Sequence, residues 1–198
     1  MTVTDADTAF GLGEISLTVH RQGTADVHAA EVRDIYGAVY SEPPYCEGPD
    51  DVADFARTWP RRQAQPGFRL VMAWHEGTAI GFTFGHELGV RTPWWDGLQG
   101  DVSPGLTEEH EGRTFAVIEL AVLKPFRRHG IAHELHTHLL AGLPQQRATL
   151  LVRPDAEPAQ RAYRSWGYQY VGRLQPYPDA PVYDAMVLEL PARATLPG

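Results

Sequence analysis

The sequence contains very little of what several common chemistries need. Cys46 is the one cysteine among 198 residues, so an intrachain disulfide and a zinc site built from several cysteines are excluded. Lys124 is the one lysine, and it does not follow a glycine, which excludes a phosphate-binding loop of the Gly-Lys-Ser/Thr type. No apolar run approaches the roughly 18–20 residues of a membrane span, and the N-terminus lacks the segments of a signal peptide. We therefore expect a cytoplasmic protein that does not bind membranes.

Positive charge is also scarce, with 17 Lys and Arg against 25 Asp and Glu and a net charge of −8. Phosphate contacts dominate affinity for nucleic acids, so we expect no nucleic-acid partner. Hydrophobic residues make up 43% of the chain, enough for a core, and the length is typical of one domain. We expect residues 13–192 to form a single domain between flexible ends at 1–12 and 193–198.

Hydrophobic periodicity predicts a mixed α/β domain. The predicted strands cover 14–21, 68–74, 78–88, 114–123, 148–152, 168–174 and 182–190, and the predicted helices cover 26–40, 50–63, 130–141 and 157–166. Residues 89–113 show no period, and loops of this length are uncommon in compact domains and often functional. The order β-α-α-β-β-β-α-β-α-β-β indicates a mixed sheet rather than an array of βαβ units.

The segment from Lys124 to Ala132 follows an apolar strand and opens a helix. Lys124, Arg127 and Arg128 place three cations within five residues of an acidic chain. A helix N-terminus offers unpaired N–H groups and a positive dipole end, and Gly130 allows a ligand to approach closely. The segment therefore predicts a binding site for an anion such as a pyrophosphate, with a solvated charged turn as the alternative.

Two residues have the chemistry of an acid–base pair. Glu119 is the lone carboxylate in a strongly apolar strand, where desolvation should raise its pKa and suit it to act as a general base. The alternatives for Glu119 are an ion pair or an outward-facing position. Tyr163 belongs to an apolar helical stripe, where its alternative role is core packing with a hydrogen-bonded hydroxyl.

The helix after Gly130 is rich in histidine. His129 and His133 share a face, so a metal hydrolase is a further alternative. The spacing is not that of an H-E-x-x-H zinc site, and no convincing third ligand lies nearby. We predict solvated histidines and no metal.

The stretch from Thr114 to Gly172 resembles the core of the GNAT superfamily of acyl-CoA-dependent N-acetyltransferases. The superfamily signature Q/R-x-x-G-x-G/A is matched by Arg-Arg-His-Gly-Ile-Ala at 127–132, after the strand residues Glu-Leu-Ala-Val at 119–122. A second family block, which follows a short strand, is matched in the spacing of Ala159, Tyr163 and the Gly-Tyr pair at 167–168. The two blocks occur in the family's order on the predicted elements.

The resemblance implies a splayed mixed sheet flanked by helices, in which the fourth and fifth strands part to admit the pantetheine arm of acetyl-CoA. It implies that a backbone N–H in the fourth strand points at the thioester carbonyl. It also implies that the amides of residues 128–132 bind the pyrophosphate, with help from the Arg127 and Arg128 side chains. The implied donor-binding residues are Leu120, Ala121, Val122, Arg127, Arg128, His129, Gly130, Ile131 and Ala132.

The implied activity is direct transfer of an acetyl group from acetyl-CoA to an amine in a ternary complex. Glu119 is then the base, acting through a water, and Tyr163 protonates the leaving thiolate. Tyr40, Tyr45, Trp94 and Trp95 are expected at the acceptor site. The acidic residues beside these aromatic residues favour a cationic, partly apolar amine as the acceptor. The alternative is that the acidic residues are solvated at the surface and the aromatic residues only pack in a hydrophobic cluster.

Several alternatives stay open at the level of sequence. The acceptor is a small molecule or a peptide, including aminoglycosides, polyamines, amino acids and protein N-termini. A donor longer than acetyl is compatible with the same residues, and the resemblance also implies that the domain can form a homodimer. Because a fold does not fix an activity, a catalytically silent acyl-CoA-binding or regulatory module is the main alternative function.

Overall fold

The computed structural model describes residues 14–100, 102–103, 105–177 and 180–191, and the expected flexible ends at 1–12 and 193–198 lie outside these ranges. Within the described residues the chain forms seven strands and four helices in the predicted order. They are β1 (Ile15–Arg21), α1 (Ala29–Tyr40), α2 (Pro49–Gln63), β2 (Arg69–His75), β3 (Thr78–Glu87), β4 (Thr114–Val122), α3 (Ile131–Leu140), β5 (Arg147–Val152), α4 (Glu157–Ser165), β6 (Gln169–Leu174) and β7 (Tyr183–Glu189).

The first helix begins three residues later than predicted, at Ala29, whereas the second ends at Gln63 as predicted. Residues 26–28 form a single 3₁₀ turn before α1, and the Asp26 side chain accepts a hydrogen bond from Gln63 (3.3 Å). Pro60 lies inside α2, which continues to Gln63. A proline removes one helical hydrogen bond, but here Trp59 and Gln63 are buried on either side of it, so packing holds the last turn in place.

The seven strands form one open mixed sheet in the order β1-β2-β3-β4-β5-β7-β6. Every neighbouring pair is antiparallel except β4 and β5, which run parallel. These two strands pair at three positions only, from Thr114 opposite Arg147 to Ala116 opposite Thr149. Beyond Ala116 they diverge, which confirms the predicted splayed sheet and leaves a gap between the two strands.

A hydrophobic core lies on each face of the sheet. On one face, α3 packs over β2 and β3, with Leu135 and Leu139 fully buried among the strand residues. On the other face, α1 and α2 cover residues such as Phe82 and Phe84. Burying one such side chain contributes about 1.5–3 kcal/mol. None of the helices in the described part of the chain has the length and apolar character needed to cross a membrane.

A β-bulge in β4 decides which face its side chains occupy. Phe84 pairs with Glu119 but Gly85 pairs with Val117, so Ile118 is an extra residue in β4. Only glycine fits at position 85, because a Cβ there would lie 2.3 Å from the Ala116 carbonyl oxygen. Val117 packs in the core under α3, whereas Ile118 packs in the core under α1 and α2. The bulge therefore turns Glu119 toward α1.

The long segment 89–113 contains no helix or strand in its described residues and is fixed by a buried ion pair. Glu109 Oε1 accepts hydrogen bonds from Arg147 (2.8 Å), Trp95 Nε1 (2.8 Å) and Thr114 Oγ1 (2.8 Å). The side chains of Arg147 and Glu109 are only 3% and 1% exposed. All three bonds go to Oε1, whereas the buried Oε2 has no partner among the described residues. The pair fixes this segment to β4 and β5, and removing either partner would leave a buried charge uncompensated.

Candidate active site

A cleft of about 860 Å³ opens where β4 and β5 separate. Its walls come from α1, α2 and the loop between them on one side, and from α4 and the start of α3 on the other. Most of the residues predicted for the site from the sequence line this cleft. They are Tyr40, Tyr45, Trp94, Glu119, Leu120, Val122, Arg127, Arg128, Gly130, Ile131, Ala132 and Tyr163.

Three predicted site residues do not line the cleft. Ala121 is 1% exposed and packs beneath α1 and α2. His129 is exposed and lies outside the cleft lining. Trp95 is 5% exposed and packs with Leu174, Ala185 and Val187, so the structure assigns it to the core. Adjacent residues in an irregular segment point in different directions, and of the Trp-Trp pair it is Trp94 that reaches the cleft.

Glu119 enters the cleft from β4 and is held by α1. The Tyr40 hydroxyl donates to Glu119 Oε2 at 2.5 Å, and Thr83 Oγ1 donates to the Glu119 carbonyl oxygen at 2.7 Å. Burial raises the pKa of Glu119 to about 7, although the nearby Arg62 guanidinium and the Tyr40 hydrogen bond both oppose that rise. A carboxyl group that titrates near neutrality can both accept and release a proton under ordinary conditions.

Tyr163 enters the same cleft from α4. Its ring packs edge-on against Trp166 and Tyr168, with centroid distances of 5.4 and 5.7 Å. No described residue forms a hydrogen bond with its hydroxyl, which lies close enough to Tyr45 and Glu119 to be affected by their charges. Burial is the main reason that the pKa of Tyr163 lies above its usual value, so the hydroxyl stays protonated at neutral pH.

The segment before α3 presents a row of backbone N–H groups to the cleft. Arg128 and Gly130 have positive φ angles of 70° and 79°, which turn the chain sharply into the helix. The amides of residues 128–132 form no hydrogen bond with any described residue, whereas the His133 amide donates to the Gly130 carbonyl oxygen at 2.9 Å. A Cβ at Gly130 would meet no described atom within 4 Å, so there is open space in front of these amides. Free amides at a helix N-terminus fit a diphosphate group.

The two arginines of this segment differ in what their side chains do. Arg127 Nε donates to the Val122 carbonyl oxygen at 2.8 Å, and Arg127 Nη1 forms an ion pair with Glu42 at 2.9 Å. Its guanidinium therefore ties the segment to the end of β4 and to the loop after α1. The Arg128 side chain is exposed and makes no ion pair with a described residue, so it remains available for an anion.

The histidine-rich helix is not uniformly solvated, which corrects the sequence prediction. His136 is 4% exposed, and its Nε2 shares a hydrogen bond with the Tyr168 hydroxyl at 2.9 Å. Burial, with a smaller effect of His133, lowers the pKa of His136 to about 4, so it is neutral at pH 7. No three His, Cys, Asp or Glu side chains of the described residues come together as ligands for a metal ion.

The sequence analysis did not predict Tyr36 and Arg62, which also line the cleft. Tyr36 donates from its hydroxyl to Glu47 Oε2 at 2.5 Å, and its ring stacks on Phe55 at 3.9 Å between centroids. Arg62 of α2 lies over the Phe55 ring at 5.3 Å and lowers the pKa of Glu119. The one available signal was that Tyr36 and Tyr40 are four residues apart and therefore share a helix face.

Comparison with known proteins gives a consistent result. Residues 29–168 match the family described as Acetyltransferase (GNAT) family. No curated protein matches the sequence. PH1933 of Pyrococcus horikoshii OT3 has a similar structure, with 18% identity and a TM-score of 0.62 over 89% of this chain and 99% of that chain.

Two further similar structures contain ligands. A GNAT family acetyltransferase from Elizabethkingia anophelis with acetyl-CoA bound is 12% identical, with a TM-score of 0.55 over 89% of this chain and 98% of that chain. Arabidopsis thaliana Naa50 in complex with the bisubstrate analogue CoA-Ac-MVNAL is 16% identical, with a TM-score of 0.54 over 89% of this chain and 99% of that chain. These identities establish similarity of fold, and the family match covers well over half of the sequence. The chain therefore belongs to the acetyltransferase (GNAT) family.

Proposed function

We propose that this protein is an N-acetyltransferase that moves an acetyl group from acetyl-CoA to an amine while both substrates are bound. The observation that carries the proposal is the pairing, in one cleft, of Glu119, whose pKa burial raises to about 7, with the protonated hydroxyl of Tyr163. The acetyl-CoA and the CoA-peptide analogue bound by two proteins of the same fold support the choice of donor.

The donor end of the cleft suits coenzyme A. Acetyl-CoA supplies an acetyl group that is already activated as a thioester. The free amides of residues 128–132 and the positive end of α3 bind its diphosphate, with the exposed Arg128 side chain adding charge. The gap between β4 and β5 receives the narrow pantetheine arm, because β4 beyond Ala116 has no strand partner on that side.

The acceptor end carries out the acid–base chemistry. An amine attacks only after it loses its proton, and Glu119 accepts that proton through a water molecule. Tyr40 holds Glu119 Oε2, which leaves Oε1 to face the water. As the new N–C bond forms and the C–S bond breaks, Tyr163 donates its proton to the departing sulfur, and the second proton that the nitrogen loses in becoming an amide restores the Tyr163 hydroxyl. Holding two reactants in one cleft contributes much of the rate enhancement.

The same end favours a small-molecule or peptide amine that is cationic and partly apolar. Carboxylates from the loop after α1 and from α2 surround aromatic rings that include Tyr45 and Trp94. Negative charge next to aromatic faces attracts ammonium groups.

The proposal is tested by measuring CoA release from acetyl-CoA over a panel of amines, together with calorimetric binding of CoA. We expect CoA to bind and at least one cationic amine to be acetylated on nitrogen, as identified by mass spectrometry. Binding without turnover on any amine would support the silent-module alternative. A folded protein with no affinity for CoA or acetyl-CoA would contradict the donor site itself.

A further inference from the structure

The acceptor end of the cleft contains more negative charge than its arginines neutralise. Five carboxylates line it. Glu42 pairs with Arg127 at 2.9 Å, and Asp54 pairs with Arg57 at 2.9 Å. Asp51 Oδ2 accepts the Gly48 amide at 2.8 Å and so belongs to the start of α2. The remaining two, Glu47 and Glu119, are each held by a tyrosine hydroxyl and make no ion pair within the described residues.

Glu47 is fixed in position before any ligand arrives. Its backbone amide donates to the Tyr40 carbonyl oxygen at 2.9 Å, and its Oε2 accepts the Tyr36 hydroxyl at 2.5 Å. Tyr36 is itself 8% exposed and stacked on Phe55. No described donor bonds to Oε1 of Glu47, which is therefore available inside the cleft. A carboxylate already held in one orientation loses little conformational entropy when it binds a partner.

Among the described residues no arginine forms an ion pair with Glu47, although Arg62, which donates to Thr58 Oγ1 at 3.1 Å, lies near enough to Glu119 to lower the pKa of that carboxyl. Arg153 is the arginine whose charge affects Glu47, but it pairs with Asp155 through two hydrogen bonds of 2.9 and 2.7 Å. Burial raises the pKa of Glu47, whereas the Tyr36 hydrogen bond opposes the rise. Glu47 and Glu119 also repel each other, and a cationic guest between them would relieve that repulsion.

The spacing of the two carboxylates limits the size of such a guest. Tyr36 and Tyr40 are one turn apart on α1 and share a helix face, so the two carboxylates that accept their hydroxyl groups are held as neighbours along that face. The rings of Tyr36 and Tyr40 lie beside each other with centroids 4.5 Å apart, and Tyr45 packs edge-on against Tyr40 at 4.7 Å. Aromatic faces next to carboxylates suit a short apolar spacer with an ammonium group at each end.

We infer that Glu47 is a specificity-determining residue that binds a second cationic group of the acceptor, while the reacting amine lies at Glu119. The acceptor class is then an amine with two positive charges separated by a short aliphatic spacer. This inference rests on the proposed function and adds the identity of the acceptor to it.

The test compares amines that share a four-carbon chain. Putrescine carries two amines, n-butylamine carries one, and γ-aminobutyrate replaces the second amine by a carboxylate. At pH 8 we expect kcat/KM to be about 10–100-fold higher for putrescine than for n-butylamine, because a hydrogen bond between charged groups is a strong one. We expect γ-aminobutyrate to be the poorest substrate.

Glu47→Gln is the decisive variant, because glutamine keeps the shape and can still accept the Tyr36 hydrogen bond. We expect it to bring the ratio of kcat/KM for putrescine to kcat/KM for n-butylamine close to one. Tyr36→Phe, which frees the carboxylate without removing it, should reduce the ratio partially. Asp34→Asn is the matched control, because Asp34 is an exposed α1 carboxylate outside the cleft, and its ratio should equal that of the wild type.

The outcomes separate this inference from the proposed function. Equal kcat/KM for putrescine and n-butylamine, or a preference that survives Glu47→Gln, would overturn the role of Glu47 and leave the acetyltransferase proposal standing. Absence of turnover with all three amines would count against the proposed function. In that case calorimetric binding of the amines to the CoA-loaded protein still tests the inference. Putrescine should bind more tightly than n-butylamine to the wild type, and this difference should disappear in Glu47→Gln. Equal binding of the two amines to the wild type would contradict the inference.

Discussion

The two walls of the cleft are built from different kinds of atoms. The donor wall is mainly backbone, contributed by one continuous segment at residues 124–132. The acceptor wall is made of side chains from distant parts of the chain, and the Tyr40–Glu119 hydrogen bond joins residues 79 positions apart. A backbone site depends on the path of the chain, whereas a side-chain site depends on individual residues. Substitutions on the two walls should therefore affect different kinetic constants.

The largest effect is expected from Glu119→Gln on the acceptor wall. Removal of the base should lower kcat by about 100–10,000-fold. The KM for acetyl-CoA should stay within a factor of about two, as would be seen in steady-state kinetics and CoA titration. An accompanying loss of CoA affinity would contradict the expectation that substitutions on the two walls affect different kinetic constants.

Stability provides the control for this variant. Because burial raises the pKa of Glu119 from 4.5 to about 7 in the folded state, its favourable contribution is complete below pH 4.5 and is lost as the pH rises through 7. Glu119→Gln should therefore be more stable than the wild type at pH 8, by about 1–3 kcal/mol in denaturant unfolding. A less stable variant would mean that the loss of activity reflects misfolding.

Tyr163→Phe should have the next largest effect. We expect kcat to fall by about 100-fold, at the low end for general acid catalysis, because a thiolate is already a good leaving group. Acetyl-CoA binding should be retained, since the ring still packs against Trp166 and Tyr168. Unchanged turnover would remove the acid role of Tyr163 and assign the ring to packing alone.

On the donor wall, Gly130→Ala should raise the KM for acetyl-CoA by about tenfold, since ~1.4 kcal/mol of lost binding corresponds to that factor. The positive φ of 79° strains any L side chain, at a cost of about 1–2 kcal/mol of stability. The kcat at saturation should change little.

Gly142→Ala is the matched control for that substitution. Gly142 also has a positive φ, of 66°, and a Cβ there would likewise meet no described atom within 4 Å, but it lies at the far end of α3. Its stability should fall by a similar amount, while the KM stays at the wild-type value. An equal rise in KM for both variants would mean that backbone strain, rather than the diphosphate site, is responsible.

The smallest effect is expected from Tyr40→Phe. The Tyr40 hydrogen bond favours the ionised form of Glu119, so removing it should raise the pKa of that carboxyl further. The acid limb of the kcat/KM profile should move to higher pH by about half to one unit, with activity at pH 9 close to that of the wild type. A shift to lower pH would contradict the assignment of Glu119 as the base.

The donor wall could be predicted from the sequence because its determinants are local. An apolar strand, clustered cations, a glycine and the start of a helix lie within one short stretch, and the structure leaves the amides of residues 128–132 unpaired there. The helices and strands were predicted almost to their ends for the same reason. The hydrophobic periodicity that predicts each helix or strand lies within the residues of that element.

The acceptor wall was predicted only in part because its contacts are not local. Nothing near Glu47 in the sequence indicates that Tyr36 holds it, and nothing near Trp95 distinguishes it from Trp94. His136 lies among solvent-facing histidines and is nevertheless buried, because Tyr168 from the next part of the chain covers it. The predicted apolar stripe of α4 is only partly buried, since Tyr163 and Trp166 also border the cleft.

The extra residue at Ile118 makes the chemistry of β4 depend on a count of residues as well as on their identity. If β4 lost the bulge but kept the same number of residues, strict alternation from Val117 would turn the Glu119 carboxylate to the opposite side of the sheet. In a chain without the extra residue, the equivalent of Glu119 would directly follow the equivalent of Val117, so an alignment matches the two carboxylates only when it places a one-residue gap at Ile118.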